Sequence, residues 1–259
     1  MRRRRFDLPR RALKALGSTP LAVRVGVGVL AVIGLAFAVN WTYQVLRKPA
    51  ELFFPVSHAL SKLPTQTWRE YQPLFGEHAT AVMTADFLAA LAQVEGAGNP
   101  VARTYWRWRM TTEPFEVYRP ASSAVGMYQM TDATFGEARR YCIRDHAVVA
   151  DGPWHEWGSC WFNAMYMRVL PIHAVEMTSA FLDRRVAEIL ARHRLAAATL
   201  QQKQDLAAVI HLCGAAAGSG YAKRNFRLTD GQRCGEHDAQ AYLAQVNAMK
   251  RVFRRLATG

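Results

Sequence analysis

An uncharged apolar run near the N-terminus constrains the fold more than any other feature. It extends from Val25 to Trp41, which is close to the ~20 residues that a helix needs to span a bilayer. Trp41 and Tyr43 follow at the position of a membrane interface, and Asp7 is the only acid before the run. Many basic residues precede it: Arg2, Arg3, Arg4, Arg5, Arg10, Arg11, Lys14 and Arg24. Because positive charge stays on the cytoplasmic side, this order predicts a cytoplasmic tail (1–24) and a transmembrane signal anchor (25–43).

A cleaved signal peptide is the competing interpretation of the same run. Ala36-Phe37-Ala38 matches the small-residue pattern of a cleavage site. The long basic region and the interface-like residues after the run favour an uncleaved anchor. Both interpretations export the rest of the chain.

The distribution of net charge also indicates a membrane-anchored chain. The chain of 259 residues has 33 Lys+Arg against 20 Asp+Glu, a net charge of +13, and about half of the excess precedes the apolar run. This placement indicates membrane topology rather than a nucleic-acid partner. A cytoplasmic nucleic-acid binder that uses its arginines and tryptophans is the alternative.

Four cysteines follow the apolar run, and an even number in an exported domain indicates disulfides. Four cysteines allow three pairings, of which we favour the local ones, Cys142–Cys160 and Cys213–Cys234. Buried free thiols are the alternative. No C-x-x-C spacing or histidine arrangement suggests a metal site, so we expect neither a metal nor another cofactor.

The rest of the chain divides into a juxtamembrane stalk (44–78) and a globular domain (79–257). Leu46 to Leu63 has the pattern of a short amphipathic helix on the membrane surface, and a linker that packs on the domain is an equal alternative. The domain has helical apolar spacing throughout, and strand-like alternation is almost absent. The fold class that we predict is therefore all-α.

The helix boundaries have recognisable signals. Thr84 and Thr131 are N-cap candidates, Pro171 should begin a helix, and Thr199 with Gln202 has the spacing of a capping box. Gly214 is a predicted helix stop. The helical segments are TADFLAALAQVEG, TDATFGEARRYC, CWFNAMYMRVL, PIHAVEMTSAFLDRRVAEILARH, TLQQKQDLAAVIHLCG and DAQAYLAQVNAMKRVFRRLA.

One irregular segment, Asn99 to about Ser123, alternates aromatic residues with arginines. Aromatic faces stack on sugars or bases, and arginines bind carboxylates or phosphates. Long loops in compact domains are usually functional, although such residues can also form a small hydrophobic cluster. Tyr105 and Trp106 are the candidate binding residues in this loop.

Glu95 is an unusual acid, because it lies in the last turn of a predicted helix, where the helix dipole disfavours negative charge. The stretch AQVEGAGNPVA around it, SSAVGMYQMTDATF after it and the later DLAAVIHLCGAAAG resemble the three motifs of the lytic transglycosylase (SLT) domain of the lysozyme-like superfamily. The resemblance covers about residues 80–220. It departs from the family at Gly96, where serine is usual, and at Tyr128, where methionine is common. His211 and Leu212 stand in place of a Tyr-Asn pair.

The resemblance implies a lysozyme-like helical domain and assigns roles to single residues. Glu95 matches the catalytic acid, and Asn99-Pro100 matches the conserved pair after it. Gly126 and Gln129 match the second motif and imply substrate contacts, with Tyr128 between them. His211, in the third motif, is either a core histidine or a substrate-binding residue, and if it points at Glu95 it would set the pKa of that acid.

The implied reaction cleaves the β-1,4 bond between N-acetylmuramic acid and N-acetylglucosamine in peptidoglycan. One glutamate acts as acid and then as base, and the sugar's 6-hydroxyl completes a 1,6-anhydro product. Ordinary glycosidases need a second carboxylate. The candidates are Glu113, Glu116, Asp132, Glu137 and Asp151, with Glu116 preferred.

These expectations describe a lyase in the bacterial inner membrane, with its N-terminus in the cytoplasm and its catalytic domain in the periplasm. Its partners would be glycan strands of the cell wall and the membrane, with no nucleic acid. An anchor also fits an enzyme that opens the wall for a secretion or conjugation machine. The alternatives are a lysozyme-type hydrolase and a non-catalytic glycan-binding protein on the same fold.

Overall fold

The computed structural model describes residues 20–53, 56–156 and 158–258, so most of the predicted basic tail lies outside the described residues. The chain forms two compact units. The first contains the described residues up to Pro49 together with Trp106–Arg119, and the second contains Ala50–Tyr105 and Pro120–Gly259. The predicted boundaries are therefore corrected: the domain begins near Ala50 rather than at residue 79, and part of the irregular segment 99–123 belongs to the unit of the apolar helix.

Helix α1, Leu21–Arg47, is the apolar helix of the first unit. It is longer than the predicted span at both ends, and its 27 residues correspond to about 40 Å. Its apolar side chains are exposed along most of its length, and it is long and apolar enough to cross a membrane. The helix agrees with an anchor and also with a signal sequence.

The described chain is mostly helical, as predicted. Six helices form the second unit: α2 (Pro64–Glu77), α3 (Ala85–Gly96), α4 (Asp132–Ala138), α5 (Pro171–His193), α6 (Leu200–Lys223) and α7 (Ala239–Thr258). Short strands make three pairs that the sequence did not reveal: β1 (Trp106–Trp108) with β2 (Tyr118–Pro120), β3 (Tyr141–Arg144) with β4 (Ala147–Ala150), and β5 (Arg233–Cys234) with β6 (His237–Asp238).

Several helix boundaries have the capping contacts that the sequence predicts. The Thr131 hydroxyl accepts from the backbone of Thr134, and Pro171 opens α5. Thr199 and Gln202 form the reciprocal capping box, at 2.9 and 3.2 Å. Gly214 breaks the helical conformation with φ of 83°, but a helix resumes after it, so the predicted stop is a kink within α6. CWFNAMYMRVL contains a short 3-10 helix, Trp161–Met165, instead of the predicted α-helix.

The predicted stalk is wrong for residues 64–77. Helix α2 packs against α3, because Trp68, Tyr71 and Phe75 recur at helical spacing and are buried in the domain core. Burial of each such ring stabilises the fold by about 1.5–3 kcal/mol. The amphipathic helix predicted from Leu46 to Leu63 is not formed. Two 3-10 segments, Pro49–Phe53 and Ser57–Leu60, take its place, so the alternative of a linker agrees better with the structure.

Helix α3 lies at the centre of the second unit. Phe87, Leu88 and Leu91 are fully buried, and the helix packs mainly against α7 and also against α2. Helix α5 packs against α6. The C-terminal end of α3 therefore lies among several helices, and this position determines the surroundings of Glu95.

Both predicted disulfides are present. Cys142 pairs with Cys160 across a Cα–Cα distance of 5.7 Å, and Cys213 pairs with Cys234 across 5.2 Å. The second bridge joins α6, one residue before its kink, to the strand pair that precedes α7. It therefore ties together the two helices that flank the end of α3.

A buried polar cluster lies between α2 and α5. Glu176 accepts hydrogen bonds from the Tyr166 hydroxyl (2.5 Å) and the Ile143 backbone (3.0 Å). His78 is buried nearby, and this burial lowers its pKa below the ordinary 6.5, although the charges of Glu176 and Glu77 oppose the shift. The fold thus holds His78 in a setting that disfavours its charged form.

Candidate functional site

Glu95 lies in the last turn of α3, where the chain leaves the helix sharply. Ala97 adopts the left-handed conformation with φ of 48°, and the Gly98 amide donates back to the Ala92 carbonyl at 3.0 Å. The Glu95 side chain is only 16 % exposed. A carboxyl group in this position needs partners, because a buried charge without them is costly.

Two side chains from other helices supply these partners. The Tyr242 hydroxyl, from the first turn of α7, donates a hydrogen bond to Glu95 Oε1. His211 Nε2, from α6, lies 3.5 Å from the same oxygen, and its side chain is 10 % exposed. Three helices therefore converge on one carboxyl oxygen.

Tyr242 is a functional candidate that the sequence analysis missed. Its pKa is raised well above 10 by burial first, and then by the charge and the hydrogen bond of Glu95. The hydroxyl consequently stays protonated and remains a donor at every physiological pH. The available signal was one tyrosine on the apolar face of the last amphipathic helix, and nothing in its spacing related it to Glu95.

Local structure fixes where α6 and α7 present these side chains. The Asp238 carboxylate accepts from the Ala241 amide at 2.8 Å and so caps the start of α7. The Cys213–Cys234 bridge joins the chain next to His211 to the strand pair just before this cap. The third motif, which departs most from the resembled family, thus still places a polar group beside Glu95.

Glycine at position 96 allows a close contact between α3 and the second motif. A β-carbon on Gly96 would lie 2.8 Å from both the Cα and the carbonyl oxygen of Met127. The serine that is usual in the resembled family would therefore collide with backbone here. The contact places Gly96, the residue after Glu95, against the Gly126–Gln129 turn.

The second motif forms a compact turn, and Gly126 and Gln129 both stabilise the backbone conformation of this turn. Gly126 has φ of 83°, and a β-carbon on it would lie 2.4 Å from the Arg168 carbonyl oxygen. Gln129 has φ of 44°, and its Nε2 donates to the carbonyls of Ala102 (3.1 Å) and Gly126 (2.9 Å). The amide nitrogen of Gln129 thus organises the loop.

Asn99, of the first motif, has a similar structural role. Its side-chain amide donates to the Ser57 carbonyl, and its Oδ1 accepts from the Val101 amide at 3.0 Å. This buried side chain holds the chain that follows α3 against the segment that precedes α2.

A cavity of about 340 Å³ opens next to this arrangement. His211 is one of its walls, so a single side chain contacts both the cavity and Glu95. Gln129 and the Glu137–Arg185 ion pair contribute further polar groups. The other lining residues are Met130, Thr131, Ala133, Thr134, Phe181, Ile210, Leu212, Gly214 and Ala215.

Comparison with known proteins gives no relative from which to transfer a function. No protein-family model matches the chain, and no curated protein or solved structure matches it. The site must therefore be judged from its own geometry and chemistry.

Three of the predicted binding residues are not part of this arrangement. Tyr128 is 1 % exposed and its hydroxyl donates to the Leu88 carbonyl at 3.1 Å, so it is a core residue and its prediction as a substrate contact is corrected. Tyr105 is exposed and its hydroxyl lies 3.2 Å from Glu236. Trp106 belongs to the first unit, where its ring lies 5.1 Å from that of Tyr118.

Four of the five candidates for a second carboxylate are held in ion pairs. Asp132 lies 2.6 Å from Arg168, and Asp151 lies 3.8 Å from Arg140. Glu137 pairs with Arg185, and Glu116, the preferred candidate, pairs with Arg47 and Arg119 in the first unit. Glu113 is exposed in the aromatic loop. Within the described residues, no group of three His, Cys, Asp or Glu side chains is arranged to hold a metal ion.

Proposed function

We propose that the chain is a membrane-anchored peptidoglycan lytic transglycosylase with a lysozyme-like domain, in which Glu95 is the general acid and base. One observation carries the proposal. A largely buried carboxyl group at the end of a core helix accepts from Tyr242, and its neighbour His211 also lines a cavity. The order of Glu95, Asn99-Pro100 and Gly126–Gln129 in the sequence supports the same function.

The geometry suits an acid whose orientation is fixed. Tyr242 donates its hydroxyl hydrogen to Oε1, so Oε2 is the oxygen of Glu95 that would carry the proton for transfer. This proton moves to the glycosidic oxygen as the bond between that oxygen and C1 of N-acetylmuramic acid breaks. The leaving sugar departs with a new hydroxyl group.

The same carboxylate then acts as the base. It takes the proton of the 6-hydroxyl as that oxygen bonds to C1, which forms the 1,6-anhydro ring and returns Glu95 to its neutral form. Water is neither consumed nor released. Because four alternative carboxylates are occupied by arginines, a mechanism with one glutamate agrees with the structure better than one with a carboxylate nucleophile.

The cavity has the chemistry that a sugar requires. Thr131, Thr134 and His211 offer hydrogen-bonding groups, while Phe181 and Ile210 offer apolar surface. Gln129 contributes mainly by shaping the loop, since its amide nitrogen is bonded to two backbone carbonyls. We assign His211 to the substrate side of Glu95.

Helix α1 and the disulfides support the proposed location. An apolar N-terminal helix and two disulfides fit an exported domain on the oxidising side of the bacterial inner membrane. A single-pass anchor with a cytoplasmic N-terminus would hold the enzyme next to its glycan substrate. The same placement would suit local wall opening for a secretion or conjugation machine.

Glu95→Gln tests the proposal in a peptidoglycan zymogram with the full chain. We expect the variant to lose clearing, because glutamine retains the shape of the side chain but has no proton to give. Glu156→Gln, at an exposed carboxylate of the second unit, is the matched control and should clear normally. Equal clearing by wild type and Glu95→Gln would reject the role of Glu95. No clearing by any form would favour the non-catalytic glycan-binding alternative.

A further inference from the structure

The segment Trp106–Arg119, which we call the aromatic loop, packs along the last turns of α1 within the first unit. Two of its backbone carbonyls accept hydrogen bonds from polar side chains of the helix. Asn40 Nδ2 donates to the Tyr118 carbonyl at 2.7 Å, and Gln44 Nε2 donates to the Phe115 carbonyl at 2.6 Å. Side-chain amides are costly in lipid unless they are paired.

This pairing matters because the C-terminal part of α1, which the span needs to reach its full length, contains polar side chains. Only 15 residues separate Arg24 from Asn40, the next polar side chain, whereas a span needs about 20. By accepting hydrogen bonds from the amide nitrogens of Asn40 and Gln44, the aromatic loop lowers the cost of placing the following turns of α1 within the membrane boundary. Phe37 of the Ala36-Phe37-Ala38 stretch itself contacts the rings of the loop, so cleavage after Ala38 would remove this contact.

Aromatic rings form most of the remaining contact. Trp108 stacks on Tyr118 at 4.5 Å, and Phe37 of α1 meets both rings edge-on at 6.3 and 6.1 Å. Tyr43 stacks on Phe115 at 4.5 Å. Tryptophan and tyrosine are the residues that concentrate at membrane interfaces.

An apolar groove of about 280 Å³ runs between the loop and the helix, and its walls include Ile33, Phe37, Trp108 and Pro114. Trp108 is 65 % exposed and Met110 is fully exposed. The groove is continuous with the apolar, exposed surface of α1, which is the surface that the proposed anchoring places in lipid.

Charge completes the pattern. Arg107 and Arg109 are exposed and alternate along the chain with Trp106 and Trp108. Residues that alternate along a strand project to opposite faces, so Arg107 of β1 projects away from the face on which Trp108 meets Phe37 of α1. Long arginine side chains can then reach the phosphates of a lipid surface.

We propose that the aromatic loop is a lipid-binding element, which inserts Trp108 and Met110 into the outer leaflet beside α1. Acyl chains fill the groove, and Arg107 and Arg109 contact headgroup phosphates. This role replaces sugar binding for Trp106 and its neighbours. The inference rests on the proposed anchoring of α1 and is independent of the proposed chemistry.

The test uses the full chain in vesicles of phosphatidylglycerol and phosphatidylcholine. A cysteine at Met110, with the disulfides left oxidised, carries an environment-sensitive fluorophore, and a fluorophore at Val32 of α1 is the reference. Spin-labelled lipids quench from within the membrane, and iodide quenches from water. We expect the label at 110 to lose most of its emission to the spin-labelled lipids and to be protected from iodide, as the label at 32 is.

Two variants sharpen the result. Trp108→Ser should restore the emission of the label at 110, because it removes the ring that packs on Phe37 and Tyr118. Trp154→Ser, at an exposed tryptophan of the second unit, should leave the quenching unchanged.

The failures can be told apart. If iodide quenches the label at 110 while the spin-labelled lipids quench the label at 32, the proposal is overturned but the anchoring of α1 is supported. If the spin-labelled lipids quench neither label, both the anchor and the proposal are overturned. Quenching at 110 that Trp108→Ser does not change overturns the role of the groove. Peptidoglycan cleavage, measured separately, reports on the proposed chemistry alone.

Discussion

Gly96→Ala tests the contact that brings the candidate acid against the second motif. The new methyl group would lie 2.8 Å from two backbone atoms of Met127, so either α3 or the loop must move. Overpacking of this kind costs about 1–3 kcal/mol. In a domain of this size, each 1 kcal/mol changes the melting temperature by about 2–4 °C, so we expect Gly96→Ala to melt about 2–12 °C lower than wild type.

Gly136→Ala is the matched control, because it lies within α4 and a β-carbon there would meet nothing within 4 Å. The removal of a flexible glycine from a helix should stabilise by about 0.5–1 kcal/mol, which raises the melting temperature by a few degrees. Thermal unfolding in detergent, followed by near-ultraviolet circular dichroism, measures both variants. If Gly96→Ala melts at or above the wild-type temperature, the argument from the Met127 contact is refuted.

Three further outcomes are expected. Tyr242→Phe removes the hydrogen-bond donor to Glu95. It should lower the rate of peptidoglycan cleavage by about 10- to 100-fold, because a hydrogen bond to a charged group contributes about 1.5–3 kcal/mol. An unchanged rate would exclude a role for the hydroxyl. Burial lowers the pKa of His78, so the unfolded chain binds the proton more readily than the folded chain. The contribution of His78 to the free energy of unfolding should therefore be full above about pH 6.5 and fall below that pH, by at most ~1.4 kcal/mol per pH unit. His78→Gln should reduce this fall, as measured by urea titrations at several pH values. Replacement of both Cys213 and Cys234 by alanine should cost about 3 kcal/mol, and reductant should then have less effect on the melting temperature than it has in wild type.

Local signals were sufficient where neighbouring residues decide the structure. Pro171 opens α5, and the Thr199 capping box opens α6, because a cap is a contact within one turn of the chain. The disulfide partners were likewise predictable from their spacing.

Long-range contacts were not predictable in this way. Trp68, Tyr71 and Phe75 have the same spacing whether they face a membrane or a core, so the sequence alone does not distinguish α2 from part of a stalk. Tyr128 was assigned to substrate because its neighbours matched a motif, but its ring fills the core beneath α3.

The candidate site shows the same division. Glu95 and His211 were marked by motif position, and they do lie together. Tyr242 is 147 residues from Glu95 in the chain, and only the packing of α7 on α3 brings its hydroxyl to the carboxyl group.

The mass of the fragment released from peptidoglycan tests the central claim most directly. The full chain in vesicles is incubated with purified cell wall, and the soluble muropeptides are weighed. A transglycosylase that uses Glu95 predicts a 1,6-anhydro product, one water lighter than the product of hydrolysis, which Glu95→Gln does not release. Release of the heavier product would make the chain a hydrolase, and release of either product by Glu95→Gln would contradict the assignment of Glu95.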